Sequence, residues 1–284
     1  MTWPAPTAGR IMQAGLSQSR LLNIAGTLFA LTIACYVLIP IIIAVVMSFN
    51  DGNMLRFPIR EWSLKWYRDF FISPQFVDAL VNSLVIALGT TLVATLFGTA
   101  AAWSIVRHRV AGCRLFSVLI MFPLFMPGVV LGLGLAITFG NVQLFGHDLF
   151  GSRLLVILAH SLWGVPLVYM LMEPAFRSLD SAMLEAAADL GARPGVTFIE
   201  IVLPEVSTAV LSGALFSFVV SINEFYMALF LTTRDTQTLP VLMWLSLRSA
   251  GSPRLAVAAV VLLSAVIISL MLIMVISRRR VRIP

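Results

Sequence analysis

Glu224 is the residue whose chemistry most needs an explanation. It lies in the mainly apolar run Thr208–Leu231, on a polar stripe with Ser217, Ser221 and Asn223. A carboxylate near mid-bilayer costs about 2.5 kcal/mol or more, and less towards the interface, so such acids face a bundle interior or water. One reading gives Glu224 a place in a solute pathway, attracting a cation at an outer gate. The other makes it an interfacial acid paired with Arg234 or Arg248. The remaining reactive residue types are sparse. His108, His147 and His160 are far apart, without an HExxH or paired-carboxylate motif. His160-Ser161 is the one nucleophile–base suggestion, but neighbours on a helix point about 100° apart, and no G-x-S-x-G accompanies them. Cys35 and Cys113 form no CxxC or metal-ligand spacing, so neither a disulfide nor a metal site follows and both read as membrane-facing or packing residues. Lys65, the only lysine, precedes Trp66, whereas a phosphate-binding Walker A loop needs a Gly-rich turn ending in Lys-Ser/Thr. No catalysis is expected from this chain.

The elements around these residues are those of a membrane protein. Of 284 residues, 60% are hydrophobic and 11% charged, against about 25% charged in soluble domains. The net charge of +6 comes from arginines at the ends of apolar runs, not from a basic face suited to nucleic acid. Residues 1–20 read as an irregular tail. Leu21–Phe49 is too long for a signal-peptide core and reads as a retained first span with Pro40 as a kink. Five more runs reach the roughly 20 residues a spanning helix needs: Leu80–Val106, Leu115–Phe139, Leu154–Met172, Thr208–Leu231 and Leu255–Ser277. The expected fold is therefore all-α, with six transmembrane helices over 21–277 and a basic tail over 278–284. Arg10, Arg20, Arg107, Arg109, Arg114, Arg177, Arg193, Arg278, Arg279, Arg280 and Arg282 outnumber the basic residues of the other side, which places both termini in the cytoplasm.

Within the spans, Thr90, Ala94, Gly98 and Ala102, and again Gly128, Gly132, Ala136 and Gly140, form small-residue stripes that let helices approach closely. Pro123, Pro127, Gly128, Gly132 and Gly134 predict a distorted third span. In the outer loop Asn50–Ala79, Ser63 is a candidate N-cap for a helix carrying Trp66, Tyr67, Phe70 and Phe71 on one face. Headgroup-level aromatics are the simpler reading and a partner-docking surface the other. Glu173 reads as a boundary residue or loop partner. The cytoplasmic segment 176–207 predicts a helix–turn–helix on the membrane surface. Asp180 or Ser181 caps Ala182–Leu190, Gly191 terminates it, Pro194 starts the second helix, and Pro204 breaks the chain before it re-enters the bilayer.

Glu185-Ala186-Ala187, three residues, Gly191, nine residues, and Ile201-Val202-Leu203-Pro204 resemble the EAA loop of binding-protein-dependent ABC importer permeases. The resemblance implies a type I permease bundle whose loop is a coupling helix, seated in a cleft of a separate ATPase dimer that hydrolyses ATP with Mg. Glu185, Ala186, Ala187, Asp189, Gly191, Ile201, Leu203 and Pro204 are the coupling residues so implied, and rigid-body alternating access the mechanism. It also implies a second permease subunit, in a heterodimer, and an extracytoplasmic solute-binding protein. No cofactor is implied on this chain. Trp66-Tyr67-Arg68, Asn82-Ser83-Leu84, Phe122-Pro123-Leu124 with Pro127, Ser221-Ile222-Asn223-Glu224-Phe225 and Thr238-Leu239-Pro240 are similar to the spermidine/putrescine-type permeases. That subgroup often has an acidic pair where this chain has Asn223-Glu224. The implied solute is polyamine-like or another small cationic or amino compound; aminophosphonate, opine and ferric-iron importers share much of the pattern. An autonomous secondary carrier or channel accounts for the spans and Glu224 but not for the EAA pattern.

Overall fold

The computed structural model describes residues 8–54, 58–59, 61–108 and 112–280. Arg56, Arg60, Arg109, Arg282 and residues 1–7 of the expected tail lie outside them. Helix α1, Ala8–Ser48, begins within the stretch expected to be irregular and runs on through Pro40. Helix α2, Lys65–Ile72, starts where Ser63 Oγ accepts the Lys65 N–H at 3.1 Å. The helices α3, Pro74–His108, and α4, Cys113–Met121, follow. A 3-10 turn, Phe122–Phe125, then leads to α5, Gly128–Phe139. A two-residue hairpin pairs β1, Gln143–Leu144, with β2, His147–Asp148. Next come α6, Arg153–Arg177, α7, Ser181–Asp189, and α8, Pro194–Glu205. The chain closes with α9, Ser207–Asn223, α10, Tyr226–Leu231, α11, Leu239–Ala250, and α12, Arg254–Arg280.

Among the described residues, four helices are long and apolar enough to cross a bilayer: Leu22–Ser48, Pro74–Arg107, Arg153–Arg177 and Arg254–Val275. Two bent pairs raise the number to six: the third span is distorted, as expected, and Pro194–Glu205 meets Ser207–Asn223 at 75°. In the third span, α4 and its 3-10 turn meet α5 at 100°. Pro127 forces Met126 into extended backbone, φ −89°, ψ 133°, and the Pro123 carbonyl accepts both the Met126 N–H at 3.1 Å and the Trp163 indole N–H at 3.0 Å. The fifth span is interrupted at Glu224, whose extended backbone (φ −69°, ψ 127°) separates α9 from α10.

The tightest packing joins α3, α6 and α9. The α3 stripe expected to make close contact does so: Thr90, Ala94, Gly98 and Ala102 are buried. A Cβ on Gly98 would lie 2.7 Å from the Val168 Cβ and 2.9 Å from the Val165 carbonyl oxygen. In lipid, where apolar burial alone does not drive association, this intimacy is what holds helices together.

The aromatic face of α2 is not a headgroup belt. Trp66 and Phe70 are buried in a cluster with Phe76, Leu239, Leu242 and Val257, while Phe71 stays exposed. The Trp66 indole donates to the Gly52 carbonyl, Tyr67 Oη shares a hydrogen bond with Ser48, and Asp69 pairs with Arg254. Each polar handle found a partner in the protein, so the helix turned inward.

At the end of the bundle away from α7, Asn82 acts as a clamp. Its Nδ2 donates to the Asp235 and Gln237 carbonyls at 3.0 and 3.1 Å, and its Oδ1 accepts from Arg153 Nε at 2.8 Å. Ser83 Oγ accepts the Leu239 N–H at 2.8 Å. The Asn82-Ser83 pair thus ties α3, α6 and the 232–238 loop together. Asn82→Ala strands these partners, at about 1–3 kcal/mol for a buried group left unpaired. Thermal unfolding in detergent is expected at a clearly lower temperature than for the parent.

Candidate functional site

Two regions carry the chemistry: the hairpin after α6 and the break around Glu224. The hairpin is built from local rules. Asp180 Oδ1 accepts the Ala182 N–H at 2.9 Å and opens α7. At the other end Ala192 N–H reaches the Ala187 carbonyl and Gly191 N–H the Ala188 carbonyl, a Schellman closure. It needs a left-handed residue, and Gly191 supplies φ +77°.

Pro194 occupies the first turn of α8, as expected. Pro204 does not break the chain. A π-turn over Phe198–Val202 lets the Leu203 N–H reach back to the Phe198 carbonyl, and Pro204, with no N–H to give, is absorbed into the final turn. The break falls at Val206 (φ −90°, ψ 10°), where the chain bends by 75° into α9.

The hairpin is anchored by its second helix and open on its first. Phe176, Val202 and Val206 are buried with Tyr169 and Met172, and Trp103 packs against both Phe176 and Phe198 at 5.1 and 5.2 Å. Glu185, Ala186, Asp189, Gly191 and Pro204 are exposed, Ile201 and Leu203 half-buried. Ala187 is the exception: it is buried and supports the hairpin from inside, so the small-residue surface is Ala186 rather than the Ala186–Ala187 pair. Leu190 is 88% exposed and Ile199 64%. Sequence reasoning missed both, because an apolar residue in a periodic stretch reads as core.

Three of the four residues of the polar stripe come together. Glu224 is 4% exposed. Its carboxylate accepts the Met227 and Ala228 N–H groups at 2.9 and 3.1 Å, capping α10. His160 Nε2 lies 3.2 Å from Glu224 Oε2, and His160 Nδ1 lies 2.8 Å from Ser221 Oγ. Ser217 is buried one turn earlier, its Oγ without a partner. Asn223 points elsewhere: it is exposed and donates to the Val219 carbonyl. Of the two readings of Glu224, the interfacial one is overturned, since its partner among the described residues is His160 and neither Arg234 nor Arg248. A free anionic group is not what the structure shows either. The partner was illegible in sequence because His160 lies 64 positions away on another span.

The broken third span closes on the same carboxylate, since a Cβ on Gly128 would sit 3.4 Å from Glu224 Oε1 and 3.1 Å from the Trp163 ring. Glu173 pairs with Arg177 at 2.8 Å, one helical turn away. Among the described residues no group of three or more His, Cys, Asp or Glu side chains is placed to hold a metal ion.

A helical bundle that crosses a bilayer, interrupts two spans around a buried polar centre and presents a rigid hairpin at one end is a solute permease. Residues 94–283 match the profile of the binding-protein-dependent transport system inner membrane component family, and the chain belongs to that family. It is the permease subunit of an ABC importer, a membrane component and not itself a catalyst. The chain is 32% identical over 229 residues to the putrescine transport system permease protein PotI of Escherichia coli K12, covering 80% of this chain and 81% of that one. It is 30% identical over 238 residues to the spermidine/putrescine transport system permease protein PotC of the same strain, covering 83% and 87%. A crystal structure of a bacterial alginate ABC transporter, in complex with a pentasaccharide-bound periplasmic protein, has the same fold. Its TM-score is 0.73 at 17% identity, over 93% of this chain and 96% of that one.

Proposed function

We propose that this chain forms half of the solute pathway of an importer for small cationic amines of the polyamine type, in a bacterial inner membrane with both termini cytoplasmic. The α7–α8 hairpin seats in an ATPase dimer that supplies ATP and Mg chemistry. The other half of the pathway is a related, non-identical permease, and an external binding protein delivers the solute. Support for the solute comes from the putrescine and spermidine permeases to which most of the chain is similar.

The observation that carries the coupling role is the hairpin itself, anchored through Val202, Val206 and Phe198 yet open at Glu185, Ala186, Asp189, Leu190 and Gly191. A lever needs both properties, a stiff root and a free head. Ile201, Leu203 and Pro204 shape the root. Ser217, Ser221 and Glu224 line the polar centre, with Asn223 at its edge. One feature favours a different amino solute such as an aminophosphonate or opine: Glu224 is already engaged by His160 and has no second acid beside it.

The test is uptake of labelled putrescine by proteoliposomes holding this chain with its ATPase, second permease and binding protein. Glu185→Arg reverses a charge at the head and is expected to lower ATP-driven uptake about tenfold, as when a buried charged contact is broken, with assembly unchanged. Uptake at the parent rate, or uptake without the ATPase, sinks the coupling role. Coupled uptake of an amino acid derivative but not of putrescine moves the solute class to the second reading.

A further inference from the structure

The polar centre has a mechanical property that neither the coupling hairpin nor the choice of solute requires. One imidazole touches both sides of the break in the fifth span. Ser221, on the last turn of α9, is held by His160 Nδ1; Glu224, in the break, faces His160 Nε2. Glu224 in turn caps α10 through the Met227 and Ala228 N–H groups. The His160 and Glu224 side chains are each 1% exposed, so no water competes for these contacts.

His160 belongs to α6, a 25-residue helix whose far end feeds directly into the hairpin through Arg177 and Asp180. Nε2 lies 3.2 Å from Oε2 without an aligned hydrogen bond, so the two side chains are packed together without a fixed bond direction between them. Gly128 stands on the other side of the same carboxylate. The contacts therefore run unbroken from hairpin to α6, from His160 to the α9–α10 break, and on to the start of α5.

We infer that His160 is a positioning residue that passes movement of α6 to the break between α9 and α10, by holding Ser221 and the Glu224 carboxylate together. Its role is independent of which solute is carried. Coupling of this kind requires an element whose arrangement both ends bias, and the broken span, pinned at one point, is that element.

The test uses the reconstituted complex in a Cys35→Ser, Cys113→Ser background carrying Tyr226→Cys, since Tyr226 is half exposed at the start of α10. Two quantities are read: solute taken up per ATP hydrolysed, and the labelling rate of the introduced thiol. His160→Ala is expected to lower the first about tenfold and raise the second about fivefold, within the range of coupling energies between contacting residues. Glu224→Gln lowers uptake per ATP in the same way, and the double variant is no worse than the poorer single one. His160→Gln, which keeps a donor near the carboxylate, stays close to the parent. Should His160→Ala fail to assemble, Ser221→Ala carries the labelling test, with a rise of about threefold expected. The inference is overturned by defects that multiply in the double variant. Unchanged labelling in His160→Ala, or in Ser221→Ala where that variant stands in, also overturns it.

Discussion

A complex carrying Gly191→Val is expected to take up solute about five- to thirtyfold more slowly than the parent, while Gly191→Asn keeps most of the rate. The reason lies in the backbone. At φ +77° an L residue pays about 1–2 kcal/mol, and a β-branched one is the worst case. That cost corresponds to a factor of about 5–30 in the population of the closed Schellman turn. Nothing lies within 4 Å of a Cβ built at Gly191, so no clash of that atom with the bundle accounts for the loss. Asparagine tolerates the left-handed region and separates conformational strain from bulk. ATP-driven uptake, normalised to assembled complex, is the measurement. Equal rates for valine and asparagine would show that the shape of this turn does not matter to transport.

Gly164→Ala is expected to be strongly destabilising. A Cβ there would lie 2.6 Å from Ser217 Oγ and 2.8 Å from the Ala94 Cβ, so α6 has to retreat from both α3 and α9. Overpacking of this kind costs about 1–3 kcal/mol. That corresponds to a fall in unfolding temperature of about 2–12 °C, scaling from domains of comparable size. The variant also has a repair. Ala94→Gly removes the fixed atom on α3, so the double variant is expected to regain much of the loss. Unfolding followed by thermal shift in detergent decides the matter. A double variant less stable than Gly164→Ala alone would mean that the α3–α6 contact is not the constraint.

What the sequence made legible were features fixed by local chemistry. The cap at Asp180, the glycine stop at Gly191 and the small-residue stripe on α3 depend on spacings of a few residues, and each occurs where read; Ser63 sits one residue before the cap position, which Leu64 occupies. Features decided by distant partners were not legible. Trp66 and Phe70 read as a membrane-surface face because nothing local reveals Leu239 and Val257 waiting on later helices. His160 read as an isolated histidine for the same reason. Proline misled in both directions: Pro40 leaves α1 intact and Pro204 is absorbed by a π-turn, yet Pro127 turns a span by 100°. The outcome at each depends on how the backbone around it adjusts, by a π-turn at Pro204 and by an extended Met126 before Pro127, which is visible only in three dimensions.

The length of α1 sets how this subunit meets its solvent. Its 41 residues extend about 60 Å, whereas the oily layer is about 30 Å deep. The apolar portion, Leu22–Ser48, is 27 residues and by itself overfills that depth by about 10 Å. The helix therefore leans, or the surrounding lipid thickens to match it. Either way the polar first turns of the helix extend beyond the acyl chains.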